Sequence, residues 1–326
     1  MKINAGIKGT GCYLPKKILT NSELEKTVDT TDEWIRTRTG IEERRIAADD
    51  EAVSDMALKA AEQAVKNAGI KKEDISLIIT ATITPDTPWP SAAAMVQSKL
   101  GVDGIPSYDV SAACSGFIYG LDMARAFVET GRYDNVLLIA AEKLSCITDW
   151  QDRNTCVLLG DGAGAAVIGQ TKEEGIMATA IHSDGSKRDM LYQPAGGSAM
   201  PASEETVKNR LHYLKMDGAE VYKMAVEKMP KVLGEVLEKA GKTPEAVDFV
   251  IFHQANIRII KSIAKRFGWP DEKNIINIQK FGNTSAATIP IALAQAMEEG
   301  RIKKGDLVAM SAFGAGLTWG GAVVRI

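Results

Sequence analysis

Two short, uninterrupted apolar runs, Val136 to Ala140 and Leu307 to Met310, mark the chain as one that hides strands from water. Strands exposed on one face alternate polar with apolar residues, so continuous runs predict strands buried on both faces. Ahead of each lies a longer apolar segment compatible with a helix, Phe117 to Val128 and Ile289 to Met297. Each of these runs into a Gly-Arg pair, Gly131-Arg132 and Gly300-Arg301, where glycine suits a helix C-terminal cap.

The pattern also repeats upstream. Ala68-Gly-Ile-Lys-Lys-Glu-Asp-Ile-Ser-Leu-Ile-Ile79 matches Ala240-Gly-Lys-Thr-Pro-Glu-Ala-Val-Asp-Phe-Val-Ile251 at a constant offset of 172 (240 − 68 and 251 − 79). A second correspondence has its own offset: Cys114 precedes Gly131 by the same interval as Asn283 precedes Gly300 (131 − 114 and 300 − 283). Helix, glycine turn and buried strand recurring in this way predict a duplicated α/β architecture. Two similar halves, residues 1–172 and 173–326, are expected to meet about a pseudo-twofold axis. On this reading Cys114 and Asn283 begin equivalent helices that converge near the centre. At the first offset His253 falls opposite Ala81 (253 − 81), just beyond an apolar strand. Ligands in α/β folds gather at the carboxyl ends of strands, so Cys, His and Asn are expected neighbours despite their separation in sequence.

Composition narrows the classes. A chain of 326 residues with 45% apolar and 25% charged side chains is ordinary for a globular protein. A formal charge of −3 gives no global case for nucleic-acid binding. The start lacks the layout of a signal peptide, and no apolar run reaches the roughly 18 residues that span a bilayer. A cytoplasmic protein, not bound to membrane, is expected. The four cysteines, Cys12, Cys114, Cys146 and Cys156, form no CxxC and no cluster with histidine, which points to free thiols and not to a disulfide framework or a zinc site.

Context singles out one of the four. Cys114 sits among Ala113, Ser115 and Gly116 at the expected start of a helix. Unpaired N–H groups there would stabilise a thiolate and could hold an oxyanion, and small neighbours leave room for a carbonyl. Against that stands the commoner role of a free cysteine as a small buried apolar residue. His253 in Val250-Ile-Phe-His-Gln-Ala-Asn256 reads either as a core residue or as a catalytic one. Asn283 alone reads as a turn or cap residue. His182 and His212 lie in polar, turn-rich sequence and have no comparable setting.

Three glycine clusters carry less. Gly6-Ile-Lys-Gly-Thr-Gly11 is followed by Tyr-Leu-Pro and not by a helix, so it is no dinucleotide loop. Gly160-Asp-Gly-Ala-Gly164 lacks the Lys-Ser/Thr of a phosphate loop. Phe313-Gly-Ala-Gly-Leu-Thr-Trp-Gly320 follows a strand and reads as a tight turn or a source of a backbone N–H for the site. After His253, Arg258, Lys261 and Lys265 recur at i, i+3 and i+7 with Arg266 alongside. The stripe reads equally as a solvated face or as a dock for an acidic partner.

Taken together, Thr20-Asn21, Val28 to Ile41, the Cys114 segment, Gly160 to Ala165, His253 to Asn256, Gly282-Asn-Thr-Ser285 and Leu317-Thr-Trp-Gly320 resemble 3-oxoacyl-[acyl carrier protein] synthase III, the initiating condensing enzyme of bacterial type II fatty-acid synthesis. The resemblance runs from end to end. It implies a thiolase-like fold in an α-β-α-β-α layering and a homodimer. Cys114 would be the acylated nucleophile, and His253 and Asn283 would assist decarboxylation and condensation. The N–H groups of Cys114 and Ala315 would hold the oxyanion. Trp34 and Arg153 would flank the adenine of coenzyme A, Arg38 would meet its nucleotide portion and Asn256 its pantetheine channel. Trp89, Leu158 and Phe313 would shape the acyl pocket, with Trp89 reaching across the dimer. Lys223, Arg258, Lys265 and Arg266 would dock acyl carrier protein. Acyl-CoA and malonyl-acyl carrier protein would be substrates, and no metal or redox cofactor is implied. One departure is that the family commonly has three glycines after the phenylalanine, where this chain has Gly314-Ala315-Gly316. A left-handed backbone at that position would strain alanine. The rival readings are a starter synthase or acyltransferase of secondary metabolism, a cysteine hydrolase, and a non-catalytic acyl-binding duplicate.

Overall fold

The computed structural model describes residues 3–326. Its first sheet uses β1 (Asn4–Tyr13), β2 (Leu77–Ala81), β3 (Ser107–Val110), β4 (Asn135–Lys143) and β5 (Asp161–Thr171), ordered β1-β5-β4-β2-β3. The second uses β6 (Ile176–Ser183), β7 (Phe249–Phe252), β8 (Leu307–Gly314) and β9 (Thr318–Arg325), ordered β6-β9-β8-β7. In the first sheet β2 runs parallel to β3 and β4, while β4, β5 and β1 pair antiparallel. In the second, β7 is parallel to β8, and β8, β9 and β6 pair antiparallel. Order and direction therefore repeat. The starts of β6, β7 and β8 keep the offset of 172 from those of β1, β2 and β4 (176 − 4, 249 − 77, 307 − 135). Only β3 has no counterpart strand.

Six helices matter to the site: α1 (Asp32–Thr39), α2 (Val53–Ala68), α3 (Gly116–Glu129), α4 (Gly218–Lys239), α5 (Ile257–Arg266) and α6 (Thr288–Glu298). α3 and α6 fill the space between the sheets, α2 covers the outer face of the first sheet and α4 that of the second. This is the α-β-α-β-α layering expected of a thiolase-like fold. The fully buried runs of β2, β4 and β8 match the prediction of strands covered on both faces. The link from β5 to β6 spans the expected 172/173 boundary, and the core between the sheets draws residues from both sides of it. No helix among the described residues is long and apolar enough to cross a membrane.

Two of the glycine clusters are packing devices. A Cβ on Gly11 of β1 would stand 2.3 Å from the Ala60 carbonyl of α2, and one on Gly164 of β5 would stand 2.7 Å from the Ile291 nitrogen of α6. Glycine lets these helices lie directly on the strands. Asp161, inside the second cluster, accepts hydrogen bonds from the Ala47 and Ser145 N–H groups and the Ser145 hydroxyl. It ties loops together.

The structure corrects the expected pairing of Cys114 with Asn283. The starts of α3 and α6 keep the offset of 172 (288 − 116), but their ends stand at an offset of 169 (298 − 129). The second central helix is therefore the shorter one, by most of a turn. Counting back from the terminal glycines carried that deletion into the alignment. Before each helix lies the same tight turn, with left-handed φ of 44° at Ala113 and 49° at Ser285 (285 − 113 is again 172). Cys114 thus corresponds to Ala286, and Asn283 to Ser111.

Candidate active site

Cys114 lies in the turn Ala113–Ser115 that opens α3. Its N–H donates to no other backbone or side-chain acceptor among the described residues. Gly314, at the end of β8, presses on it: a Cβ there would stand 2.7 Å from the Cys114 nitrogen and 3.1 Å from its Cβ. The next residue, Ala315, is half-buried and lines the same cavity as Cys114. Its N–H likewise has no partner among the described residues. The left-handed φ in this loop, 131°, falls on Gly316, so the alanine departure costs nothing in backbone strain.

Asn283 is oriented by the turn that precedes α6. Its Oδ1 accepts from the Ser285 N–H at 2.8 Å, and its own N–H donates to the Leu158 carbonyl at 2.8 Å. With the oxygen committed, the side-chain Nδ2 is left as the free donor. Gly282 before it has φ 63°, and a Cβ there would meet the Leu158 carbonyl at 2.8 Å. Only glycine permits that approach.

His253 follows β7 and is buried, its N–H bonded to the Ser311 carbonyl of β8 at 2.9 Å. Its Nδ1 lies 2.7 Å from the Thr288 hydroxyl, which is also 3.0 Å from the Ser285 carbonyl. The hydroxyl has one proton: given to Nδ1, it leaves the ring proton on Nε2; given to the carbonyl, it leaves it on Nδ1. Burial lowers the His253 pKa to about 3, so the ring is neutral at physiological pH.

The helix start was expected to depress the Cys114 thiol. Burial instead pushes it up to about 12, because desolvation of a thiolate outweighs the helping Ser285 hydroxyl, and the nearby Glu142 carboxylate raises it further. At rest Cys114 is a neutral thiol.

A cavity of about 390 Å³ opens at Cys114, lined by Asn283, Ser285 and Ala315 and by apolar side chains including Ile83, Leu144 and Leu214. A smaller one of about 180 Å³ joins Cys114, His253, Asn283 and Phe313. An outer cavity of about 980 Å³ holds Trp34, Arg38, Asn256 and Arg258. Leu158 and Met216 line all three and mark their junction. The sequence reading named Leu158 and Phe313 but missed Ile83, Leu144, Leu214 and Met216, whose apolar side chains carry no local signal that separates cavity from core.

Trp34 on α1 stacks with two guanidinium groups, 4.7 Å from Arg38 Cζ and 4.9 Å from Arg153 Cζ. Arg153 also donates to the Asp29 carbonyl at 2.6 Å. A flat base entering between Trp34 and Arg153 has to lift the arginine off the indole. Asn256 spends both ends of its amide on structure, capping α5 through the Arg258 N–H at 2.8 Å and donating to the Arg38 carbonyl at 3.0 Å. It positions the channel wall between inner and outer cavities. Lys223 on α4 and Arg258, Lys265 and Arg266 on α5 are exposed. Trp89 lines none of these three cavities and is 84% exposed. All four cysteines are free, and no cluster of three or more His, Cys, Asp or Glu among the described residues could hold a metal.

Two family models match the chain: 3-oxoacyl-[acyl-carrier-protein (ACP)] synthase III over residues 108–185 and its C-terminal part over residues 237–326. A relative in Caldanaerobacter subterraneus subsp. tengcongensis, beta-ketoacyl-[acyl-carrier-protein] synthase III, is 55% identical over 99% of this chain and 98% of its own. The crystal structure of 3-oxoacyl-[acyl-carrier-protein] synthase III from Aquifex aeolicus is 50% identical, with a TM-score of 0.92 over 99% of this chain and 100% of that one. The priming beta-ketosynthase of the R1128 polyketide pathway is 33% identical, with a TM-score of 0.93 over 100% of this chain and 97% of that one.

Proposed function

The chain belongs to the beta-ketoacyl-[acyl-carrier-protein] synthase III family, acyltransferases that initiate fatty-acid synthesis, and from that premise we propose how its residues divide the reaction. The carrying observation is the meeting of Cys114, His253 and Asn283 on one small cavity. Cys114 attacks the thioester of a short acyl-CoA, coenzyme A leaves, and an acyl-Cys114 thioester remains. The N–H groups of Cys114 and Ala315 bind the tetrahedral oxyanion. The acyl chain occupies the apolar cavity of about 390 Å³.

Malonyl-acyl carrier protein then enters. Its thioester carbonyl accepts hydrogen bonds from Asn283 Nδ2 and His253 Nε2, which steadies the negative charge left as carbon dioxide departs. This assigns the Thr288 proton to His253 Nδ1, since only that tautomer leaves a donor on Nε2. The carbanion attacks the acyl-Cys114 carbonyl, and the carbon–sulfur bond breaks with the electron pair leaving on Cys114 Sγ. The 3-oxoacyl-acyl carrier protein is released as that thiolate takes a proton from solvent. Each step needs only nucleophile, proton transfer and hydrogen bonds, so the reading includes no metal or redox cofactor. Coenzyme A fits the outer cavity with its base on Trp34, and the carrier protein fits the basic face of α4 and α5. The exposed Trp89 suits a homodimer in which it closes the partner's acyl pocket. Cytoplasmic location follows from these substrates.

Incubating the protein with acyl-CoA and malonyl-acyl carrier protein tests the reading. An acyl adduct at Cys114 by intact mass, followed by 3-oxoacyl-acyl carrier protein, is the expected result. Free acid alone would point to a hydrolase, and no adduct to a binding protein. The likeness to the R1128 ketosynthase favours a second reading, priming of polyketide synthesis. A marked preference for a polyketide-pathway carrier protein over the fatty-acid one would select it.

A further inference from the structure

Acylation must move the Cys114 proton somewhere, and the residues assigned so far do not receive it. Asn283 does not titrate. His253 is a weak base, held at about 3 by burial, and its Nδ1 faces Thr288. Behind the cavity wall, near the end of β4, lies a carboxylate that the mechanism has not used. Glu142 is fully buried. It accepts hydrogen bonds from the Thr84 hydroxyl at 2.6 Å, the Thr82 hydroxyl at 3.3 Å and the Ile83 N–H at 3.2 Å. All three donors are neutral, and Ile83 lines the cavity beside Cys114 and Ser285.

Ser285 joins the two. Its left-handed backbone, φ 49°, is a rare conformation for a residue other than glycine. The hydroxyl is buried and makes no hydrogen bond of standard geometry. Ser285 lines one cavity with Cys114 and with Ile83, whose N–H holds Glu142, and its hydroxyl favours the ionised form of both the thiol and the carboxylate. A hydroxyl can accept one proton while giving up another. Leaving one buried without a settled partner is costly, which points to a role beyond packing.

We propose that Ser285 and Glu142 form a proton relay for the acylation of Cys114, a proposal that rests on the acyl-transfer reading above. As Cys114 Sγ attacks the acyl-CoA carbonyl carbon, its S–H proton passes to Ser285 Oγ and the Ser285 O–H proton passes to the Glu142 carboxylate. The tetrahedral intermediate collapses, the bond from carbon to the coenzyme A sulfur breaks, and that sulfur keeps the electron pair. The proton on Glu142 returns by the same route to the departing thiolate. The products are acyl-Cys114 and neutral coenzyme A thiol, with Ser285 and Glu142 restored.

The electrostatics suit the task. Burial pushes Glu142 up to about 7, a far stronger base than His253 and close to the working pH. The Glu142 charge raises the thiols of both Cys114 and Cys146. Lys143, next in the chain, sends its ammonium to the Ala48 and Glu51 carbonyls instead. Ser285 would touch the reacting sulfur and be catalytic, whereas Glu142 would act through it.

The test follows acyl-Cys114 formation from acetyl-CoA and isobutyryl-CoA by rapid quench and intact mass, over a range of roughly pH 5 to 9 bracketing the Glu142 titration. Wild type, Ser285→Ala, Glu142→Gln and the double variant are compared, with malonyl-acyl carrier protein decarboxylation as reference. The wild-type rate should rise through an apparent pKa near that of Glu142. That inflection should disappear in Glu142→Gln, and acylation relative to decarboxylation should fall about tenfold or more in each single variant. The double variant should be no slower than the slower single one, because the two act in series. Wild-type rates and pH profile in both variants would overturn the relay, as would an equal loss of both half-reactions, which marks a structural role. If wild type itself forms no acyl-Cys114, the acyl-transfer reading fails with it.

Discussion

The Thr288 hydroxyl lies 2.7 Å from His253 Nδ1 and so couples the first residue of α6 to the histidine that follows β7. Thr288→Val keeps the shape but removes the proton that fixes the ring. Malonyl-acyl carrier protein decarboxylation should fall roughly 10- to 100-fold while acyl-Cys114 forms at its normal rate. Measuring the two half-reactions separately checks this, and an equal loss in both would count against a role through His253.

Asn283 offers its Nδ2 only because the Ser285 N–H holds its oxygen. Replacing it with Asp preserves that contact and puts a negative charge where the proposed mechanism develops the carbanion. Asn283→Asp and Asn283→Ala should each lower decarboxylation by about 10²- to 10³-fold. The aspartate variant should be at least as poor as the alanine one.

Gly314→Ala is expected to disable the nucleophile without touching it. The new Cβ would sit 2.7 Å from the Cys114 nitrogen, closer than packed atoms tolerate. Acylation should drop by at least about 10²-fold as the oxyanion N–H moves. Far-ultraviolet circular dichroism should stay native.

Trp34 and its two arginines form a platform at an outer cavity that Cys114 does not line. Trp34→Ala should raise the KM for acyl-CoA about tenfold, as expected for lost stacking. The kcat should hold, as should decarboxylation of malonyl-acyl carrier protein.

Glu142 gives a stability prediction with a definite sign. Burial raises its pKa from 4.5 to about 7, so the folded chain holds this proton more tightly than the unfolded chain. Its contribution is complete below the unfolded value and is lost as pH rises through the folded one. The change amounts to roughly 3 kcal/mol. Urea unfolding of Glu142→Gln should show a flatter profile than wild type between those two pH values.

Much of this was legible before folding. The continuous runs at Val136 to Ala140 and Leu307 to Met310 are β4 and β8, paired in sheets buried on both faces. The constant offset carried through three pairs of strands, because a duplication keeps the spacing that its core requires. The separate offset counted back from the terminal glycines misled at Asn283, because a deletion inside α6 cannot be placed by counting between motifs. The cavity wall was mostly invisible for another reason. Ile83, Leu144 and Leu214 look the same in sequence whether they face a neighbour or an empty space.

The sequence by itself determined the alternation of helix and strand, the duplication, and the choice of Cys114, His253 and Asn283. Those features rest on near neighbours, on periodicity and on the family motifs. Tertiary structure decided which atoms of those residues are free to react. It committed the Asn283 oxygen to Ser285, set Thr288 against His253 and placed the half-buried Cys114 thiol where desolvation overrides the helix start. It also buried Glu142, from the first half of the chain, beside Ile83, which lines one cavity with Ser285 of the second. Acidity and hydrogen-bond direction depend on what surrounds a group once water has left, and only the packed chain supplies those surroundings.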